Sequence, residues 1–348
     1  MPDTLRQPPF TPADAIALAR KLYGLSVTAR QLPGERDRNF HLQDNTGRQF
    51  VLKISHAAEQ KTVLDMQNRA MAHLARQGDY SLCPRALPAQ NGDDIATATA
   101  PGGTTHFVRL LTHLPGASLA TANPHPPQLL RRLGRFMGHV TRALQSFTHP
   151  AAHRRLEWDM QHAGQVIAAR RGHIQRPERR AIVGHFLSRF ETRVLPDLPR
   201  LRRSVIHNDA NDYNLLLFPR AAPATDARQF RLIDFGDMVY SHTIFELAVA
   251  AAYAILNKPE PLRAAAEVVG GYHRCFPLTP LELEHLFTLV CIRLCTSVVM
   301  SASRQAEQPD NRYLSISEKP AWAALKKLAV ANPNLAHYTF RQACGLPP

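Results

Sequence analysis

Apolar residues recur at helical spacing near the start of the chain: Ile16, Ala19, Leu22 and Tyr23 share one face. Thr11 stands as N-cap, Pro12 opens the first turn, Asp14 lies near the positive helix end and Gly24 closes the helix. The pattern then becomes extended. Phe40-His41-Leu42-Gln43 and Phe50-Val51-Leu52-Lys53-Ile54 predict two short strands joined by a turn at Asp44-Asn45-Thr46-Gly47. A helix over 59–77 stopped by Gly78, and strands at 94–99 and 105–112, complete a small sheet with a helix laid against it. Leu114-Pro115-Gly116 breaks the pattern and is a candidate hinge. Helices follow at 127–146, 159–171, 178–195, 243–257, 260–275, 281–303 and 321–330. Between the third and fourth of these lie apolar strands, Ser204–Ile206, Leu215–Phe218 and Phe230–Ile233. No internal repeat is evident. The order predicts an α+β, bilobal protein with a small β-rich lobe (1–112) and a larger, mainly helical one (113–348).

Composition narrows the class. With 348 residues, 45% hydrophobic and 20% charged, the chain is globular and is not a collagen, a coiled coil or a disordered tail. Its net charge of +14 attracts polyanions, anionic membranes or phosphorylated metabolites. Residues 131–206 hold sixteen arginines, no lysine and five acids, but no interleaved aromatics for stacking bases. The block reads as solvated helix faces, so nucleic acid is not the expected partner. Five cysteines without a CxxC pair argue for free thiols and a reducing compartment. The N-terminus has no secretory core segment, and the longest apolar run, Leu247–Leu256, is 10 residues. A cytoplasmic protein without a membrane partner is expected.

The chemistry concentrates in two segments. Val205-Ile206-His207-Asn208-Asp209-Ala210-Asn211-Asp212-Tyr213-Asn214 sets a polar loop between apolar strands with the spacing H-x-D-x-x-x-x-N. Leu232-Ile233-Asp234-Phe235-Gly236-Asp237 ends a later strand in an acid, an aromatic and a glycine. Two strand-end loops presenting carboxylate and amide oxygens can converge on a divalent cation; Mg²⁺ takes a few hard oxygens and fills its shell with water and nucleotide phosphates. A separate aspartate facing a hydroxyl can accept its proton. Turn chemistry alone favours Asp and Asn in one loop, but does not explain two clusters with matched spacing.

Together these segments resemble the catalytic and metal loops of protein-kinase-like phosphotransferases. The HND-x-ND-x-N and LIDFGD versions are similar to the aminoglycoside phosphotransferase and choline kinase branch. Within it they most resemble the hydroxylysine kinase group and the kinase-like domain fused to class III aminotransferases. The resemblance runs from about Phe10 to Trp322. It implies that Asp209 is the catalytic base, that Asn214 and Asp234 hold Mg²⁺, and that His207 supports the loop. It also makes 1–112 the nucleotide-binding lobe and 113–348 the catalytic and substrate-binding lobe.

In the first lobe, Gly34-Glu35-Arg36-Asp37-Arg38-Asn39-Phe40 would cover a nucleotide with backbone N–H groups, with Gly34, Arg38 and Asn39 as contacts and Lys53 beyond them. The loop departs from G-x-G-x-x-G in having one glycine. Kinases pair the strand lysine with a helix glutamate; here that position falls on Gln67, which supplies no charge, with Glu59 or Asp65 as substitutes in another register. Downstream, Glu246 opens a helix, and the resemblance implies that it would brace the catalytic loop, with contact to a substrate amine as the rival role. Asp212 and Asp237 would face an ammonium group or a second metal. Arg293 or Arg304 would receive a carboxylate, and Ser301–Arg304 with Gln308–Tyr313 would form a lid or a plain connection.

The resemblance thus implies a small-molecule kinase transferring the γ-phosphoryl of ATP or GTP, with Mg²⁺, to a hydroxyl of an amino alcohol, 5-hydroxylysine first. Aminoglycosides, choline, ethanolamine and homoserine are alternative acceptors. A nucleotide-binding pseudokinase scaffold is the alternative of another class, and the presence of Lys53, Asp209, Asn214 and Asp234 argues against it.

Overall fold

The computed structural model describes residues 7–77, 82–218, 230–307 and 318–347. The chain divides into two compact units, Met1–Pro115 and Gly116–Pro348. The predicted α+β character holds, strand-rich in the first unit and helical in the second.

The first unit opens with α1 (Pro12–Tyr23), fixed at both ends by its own sequence. Thr11 Oγ1 accepts from the Asp14 backbone N–H, the Asp14 carboxylate accepts from the Thr11 N–H at 2.7 Å, and Gly24 turns left-handed at φ +66°. Strands β1 (Val27–Leu32), β2 (Arg38–Asp44) and β3 (Gln49–Ile54) follow, then α2 (Lys61–Gln77), β4 (Ala86–Leu87), β5 (Ala96–Thr99) and β6 (Thr105–Thr112). They form an antiparallel sheet in the order β1-β2-β3-β6, with β4 and β5 both pairing β6. Phe40, Leu42, Leu52, Ile54, Val108 and Leu110 make its core with Ala15 and Ala19 of α1. The turn at 44–47 is held by the Asp44 carboxylate, which accepts from the N–H groups of Thr46 and Arg48 at 2.9 Å each.

The second unit begins with β7 (Ala117–Ser118) and α3 (Pro127–Leu144), then α4 (Ala163–Arg170) and α5 (Pro177–Arg189). The helix expected over 159–171 is a 3-10 turn before α4, because the buried Asp159 caps it by accepting from the Gln161 N–H. The one expected over 178–195 is α5 continued by a π turn at Phe190–Val194. Short strands follow: β8 (Arg203–Ile206), β9 (Leu215–Leu217), β10 (Phe230–Leu232) and β11 (Val239–His242). β9 lies between β10 and β7, while β8 pairs β11. Helices α6 (Ile244–Ala254), α7 (Pro261–Cys275), α8 (Pro280–Glu307), α9 (Glu318–Ala329) and α10 (Pro333–Ala343) complete the unit. Strands β1, β4, β7 and β11 and helix α10 are additions to the sequence reading. Gly78 and Gln308–Tyr313 lie outside the described residues.

Helix α8 is long and apolar enough to cross a membrane by length and composition, yet 94% of its apolar window is buried inside the protein. It is a core helix. Every residue of α6 is buried as well. These two helices carry Arg293 and Glu246, so both polar groups enter the interior on rigid elements.

Candidate active site

The strand pairs set the two loops. β8 ends at Ile206 and releases His207–Asn214, after which β9 begins; β10 runs back along β9 and ends at Leu232. The Ile233 N–H donates to the Asn214 carbonyl at 3.0 Å, extending that pairing to the threshold of Asp234. Asn214 and Asp234 are therefore tied through adjacent backbone. Both Asn208 and Asp234 lie in the left-handed region, at φ +65° and +61°. Such strain in non-glycine residues costs about 1–3 kcal/mol each and persists where surrounding contacts over-determine it.

Those contacts are present. Glu246, fully buried at the start of α6, accepts from the His207 backbone N–H at 2.5 Å and from that of Asn208 at 3.4 Å. Burial pushes its carboxyl up to about 7 against these two hydrogen bonds. Glu246 is thus a brace for the loop. The His207 ring bonds the Ile233 carbonyl at 3.2 Å through Nε2 and accepts from the Asp209 N–H through Nδ1 at 3.2 Å. The His207 and Phe235 rings stand nearly perpendicular with centroids 4.7 Å apart, and burial lowers the His207 pKa to about 4. A neutral His207 therefore links both loops.

Asp209 has the most determined side chain of the set. Its Oδ1 accepts from Asn211 Nδ2 at 3.0 Å and from Arg293 Nη2 at 3.1 Å, and its Oδ2 accepts from Asn214 Nδ2 at 2.7 Å. Burial raises its pKa well above the usual carboxylate range; the charge of Asp237 adds to this, and Arg293 opposes it. Asn211 also caps the turn, accepting from the Tyr213 and Asn214 N–H groups at 2.8 and 3.0 Å. The Asp234–Met238 turn is clamped from outside by Arg154, which donates to the carbonyls of Gly236 and Met238.

The donor set fits a hard divalent cation. Asn214 commits its Nδ2 to Asp209, so its amide oxygen and the Asp234 carboxylate are the hard oxygens the two loops could offer. Among the described residues no cluster of three His, Cys, Asp or Glu gathers as a complete metal cage. One amide and one carboxylate match the needs of Mg²⁺, which keeps several water and phosphate ligands.

The remaining predicted residues are placed as follows. Asp212 is pushed up to about 6 by burial, and its Oδ1 is buried without a hydrogen-bond partner. Arg293 is 1% exposed and donates Nη1 to the Trp158 carbonyl at 3.0 Å. Its Nη2 donates to Asp209 Oδ1 at 3.1 Å, so the carboxylate it meets in the structure is one of the protein's own. Arg304 also lies over the Trp158 ring, 5.7 Å from its centroid, while Arg293 is 4.7 Å from it.

In the first unit, Lys53 on β3 is flanked in register by Asn39 and Arg109. Gly34 sits where a Cβ would meet the Asp37 carbonyl at 2.6 Å, so the turn excludes a side chain there. Arg38 Nε donates to the Pro8 carbonyl at 3.0 Å. The amide oxygens of Gln67 and Asn68 accept from the buried guanidinium of Arg109 at 2.8 and 2.9 Å. Gln67 is therefore anchored by Arg109, a residue that sequence reasoning misses. Asp65 pairs with Arg69 and Glu59 accepts from the Gln60 N–H. Arg154, Trp158 and Asn211 are missed too; a turn-forming Asn two residues after Asp209 is the one signal that was available.

Residues 28–286 match the phosphotransferase enzyme family. Hydroxylysine kinase of Mus musculus is 31% identical over 346 residues, covering 92% of this chain and 90% of that protein. Two solved structures share the fold. A microcompartment-associated aminopropanol kinase superposes with a TM-score of 0.69 at 18% identity, covering 95% of this chain and 98% of its own. An amicoumacin kinase in complex with AMP-PNP and Ca²⁺ does so with a TM-score of 0.67 at 13% identity, covering 94% and 97%. The protein has a kinase-like fold. The chain belongs to the phosphotransferase enzyme family and is a small-molecule phosphotransferase.

Proposed function

We propose that the protein transfers the γ-phosphoryl group of ATP or GTP to the hydroxyl of an amino alcohol, with 5-hydroxylysine as the preferred acceptor. The observation that carries this is the Asp209 carboxylate, fixed by Asn211, Asn214 and Arg293 on a loop whose neighbouring backbone leads to Asp234. The 31% identity to a hydroxylysine kinase, spread over nine-tenths of both chains, supports the choice of acceptor.

In this reading Asp209 accepts the proton of the acceptor hydroxyl as that oxygen attacks phosphorus. Asn214 and Asp234 hold Mg²⁺, which when bound with the nucleotide neutralises phosphate charge. Lys53, with Gly34, Arg38 and Asn39, serves the nucleotide phosphates. Asp212 and Asp237 supply negative charge suited to an ammonium group on the acceptor.

The test is a phosphoryl-transfer screen with ATP and GTP against 5-hydroxylysine, ethanolamine, choline, homoserine and kanamycin. Hydroxylysine is expected to give the highest kcat/KM; a clear preference for kanamycin, or nucleotide turnover independent of any acceptor, overturns the reading. Asp234→Ala should abolish Mg²⁺-dependent nucleotide binding by titration calorimetry, and survival of that binding would remove Asp234 from the metal site.

A further inference from the structure

Arg293 raises a question that the reaction just described leaves open. It lies in the middle of α8, 1% exposed, between the rings of Trp158 at 4.7 Å and Tyr253 at 5.6 Å. Its Nε is buried without a hydrogen-bond partner. For stability alone this is a poor choice, since a buried ion pair is often matched or bettered by apolar residues of similar volume. Among the described residues, the carboxylate within ion-pair distance of its guanidinium is that of Asp209.

The hydrogen bonds divide the two oxygens of Asp209 unequally. A carboxylate oxygen offers two lone-pair directions. Both at Oδ1 are taken, by Asn211 Nδ2 at 3.0 Å and Arg293 Nη2 at 3.1 Å. Among the described residues Oδ2 has one donor, Asn214 Nδ2 at 2.7 Å, which leaves its second direction open. We propose that Arg293 is a positioning residue for phosphoryl transfer: by saturating Oδ1 it fixes the Asp209 rotamer and reserves Oδ2 for the acceptor hydroxyl. The Trp158 carbonyl, which accepts from Nη1 at 3.0 Å, and the two rings hold the guanidinium in the orientation this requires. The charge of Arg293 also offsets the acids Asp234 and Asp237 that crowd Asp209.

This rests on Asp209 being the base of the proposed reaction, and the experiment separates the two ideas. Steady-state kinetics are measured for wild type, Arg293→Met, Arg293→Lys, Asp209→Asn and the Asp209→Asn, Arg293→Met double variant, using the best acceptor of the screen. Misplacing a reacting group by about 1 Å can cost ~100-fold, so Arg293→Met should lower kcat by ~10–100-fold. The nucleotide KM should stay within about two-fold, since no ground-state nucleotide contact is removed. Arg293→Lys should recover part of the loss. In the Asp209→Asn background Arg293→Met should have no further effect on kcat, because the group it positions is already disabled. Multiplying losses, or a wild-type kcat in Arg293→Met, overturns the proposal while the kinase reading stands. Should Arg293→Met fail to fold, the double variant, which removes both buried charges, is compared directly with Asp209→Asn and decides the same point. A wild-type protein that phosphorylates no acceptor overturns the reading and this proposal together.

Discussion

At the scale of single residues, the loop over 207–214 combines the proposed base, Asp209, with a backbone held by Glu246. Asp209→Asn keeps the shape of the side chain but removes the proton acceptor proposed for the reaction. It should cut kcat by about 100-fold or more, the range for losing a general base, with nucleotide affinity nearly intact by equilibrium titration. Glu246 serves the backbone, since both of its hydrogen bonds are to backbone N–H groups of residues 207 and 208. Glu246→Gln retains an acceptor oxygen and should keep turnover within a few-fold. Glu246→Ala leaves two buried donors without an acceptor, each costing about 1–3 kcal/mol. Denaturant unfolding should therefore separate the two variants clearly, and equal stability would show that the brace does not bear on the fold.

At the scale of elements, α3 and α7 approach so closely that glycine is required at the crossing. A Cβ on Gly134 would stand 1.9 Å from the Val268 carbonyl oxygen, and one on Gly271 would stand 2.0 Å from that of Arg131. Both obstacles are backbone, so the helices themselves must part. Gly134→Ala and Gly271→Ala should each lower stability by ~1–3 kcal/mol or more, as overpacking does. Gly184 on α5 is the control, because its Cβ would meet nothing within 4 Å. Gly184→Ala should raise stability by about 0.5–1 kcal/mol through helix propensity. Thermal melts of the three variants decide between crossing geometry and a general intolerance of substitution. None of this contact was legible in the chain, since the helices meet across more than a hundred residues. The two polar loops at the strand ends were legible, because their spacing is a local property of strand, turn and strand. Arg293 stood out as a cation, but its partner Asp209 is 84 residues away, and nothing local ties them. Gln67 and Arg109 are 42 residues apart and were hidden for the same reason. α10 did carry a readable signal, Asn332 as N-cap with Pro333 following, whereas β1 is an edge strand whose half-exposed alternation is faint.

At the scale of the whole molecule, buried ionisable groups give stability a pH dependence whose parts have opposite signs. Glu246 is an acid shifted upward from 4.5 to about 7 by burial. Its neutral form is the one the fold prefers, so its stabilising contribution is complete below pH 4.5 and is lost as pH rises through 7. At one pKa unit per ~1.4 kcal/mol, the loss above neutrality approaches 3 kcal/mol. His242 is a base shifted downward from 6.5 to about 4, by burial first and then by the charge of Arg203. Its contribution is present above pH 6.5 and is lost as pH falls through 4, by a similar amount of about 3 kcal/mol. Between pH 4.5 and 6.5 the two slopes therefore oppose each other, and each is seen best as a difference between variant and parent. The stability of Glu246→Gln relative to wild type should rise steadily from pH 4.5 to 7 and then level off. For His242→Asn the relative gain should instead appear as pH falls from 6.5 toward 4, superimposed on a constant loss from repacking. Urea unfolding at intervals of half a pH unit measures both curves. Two flat difference curves would show that neither group is desolvated as its place in the fold requires, and that loop bracing in this protein is independent of proton binding at α6.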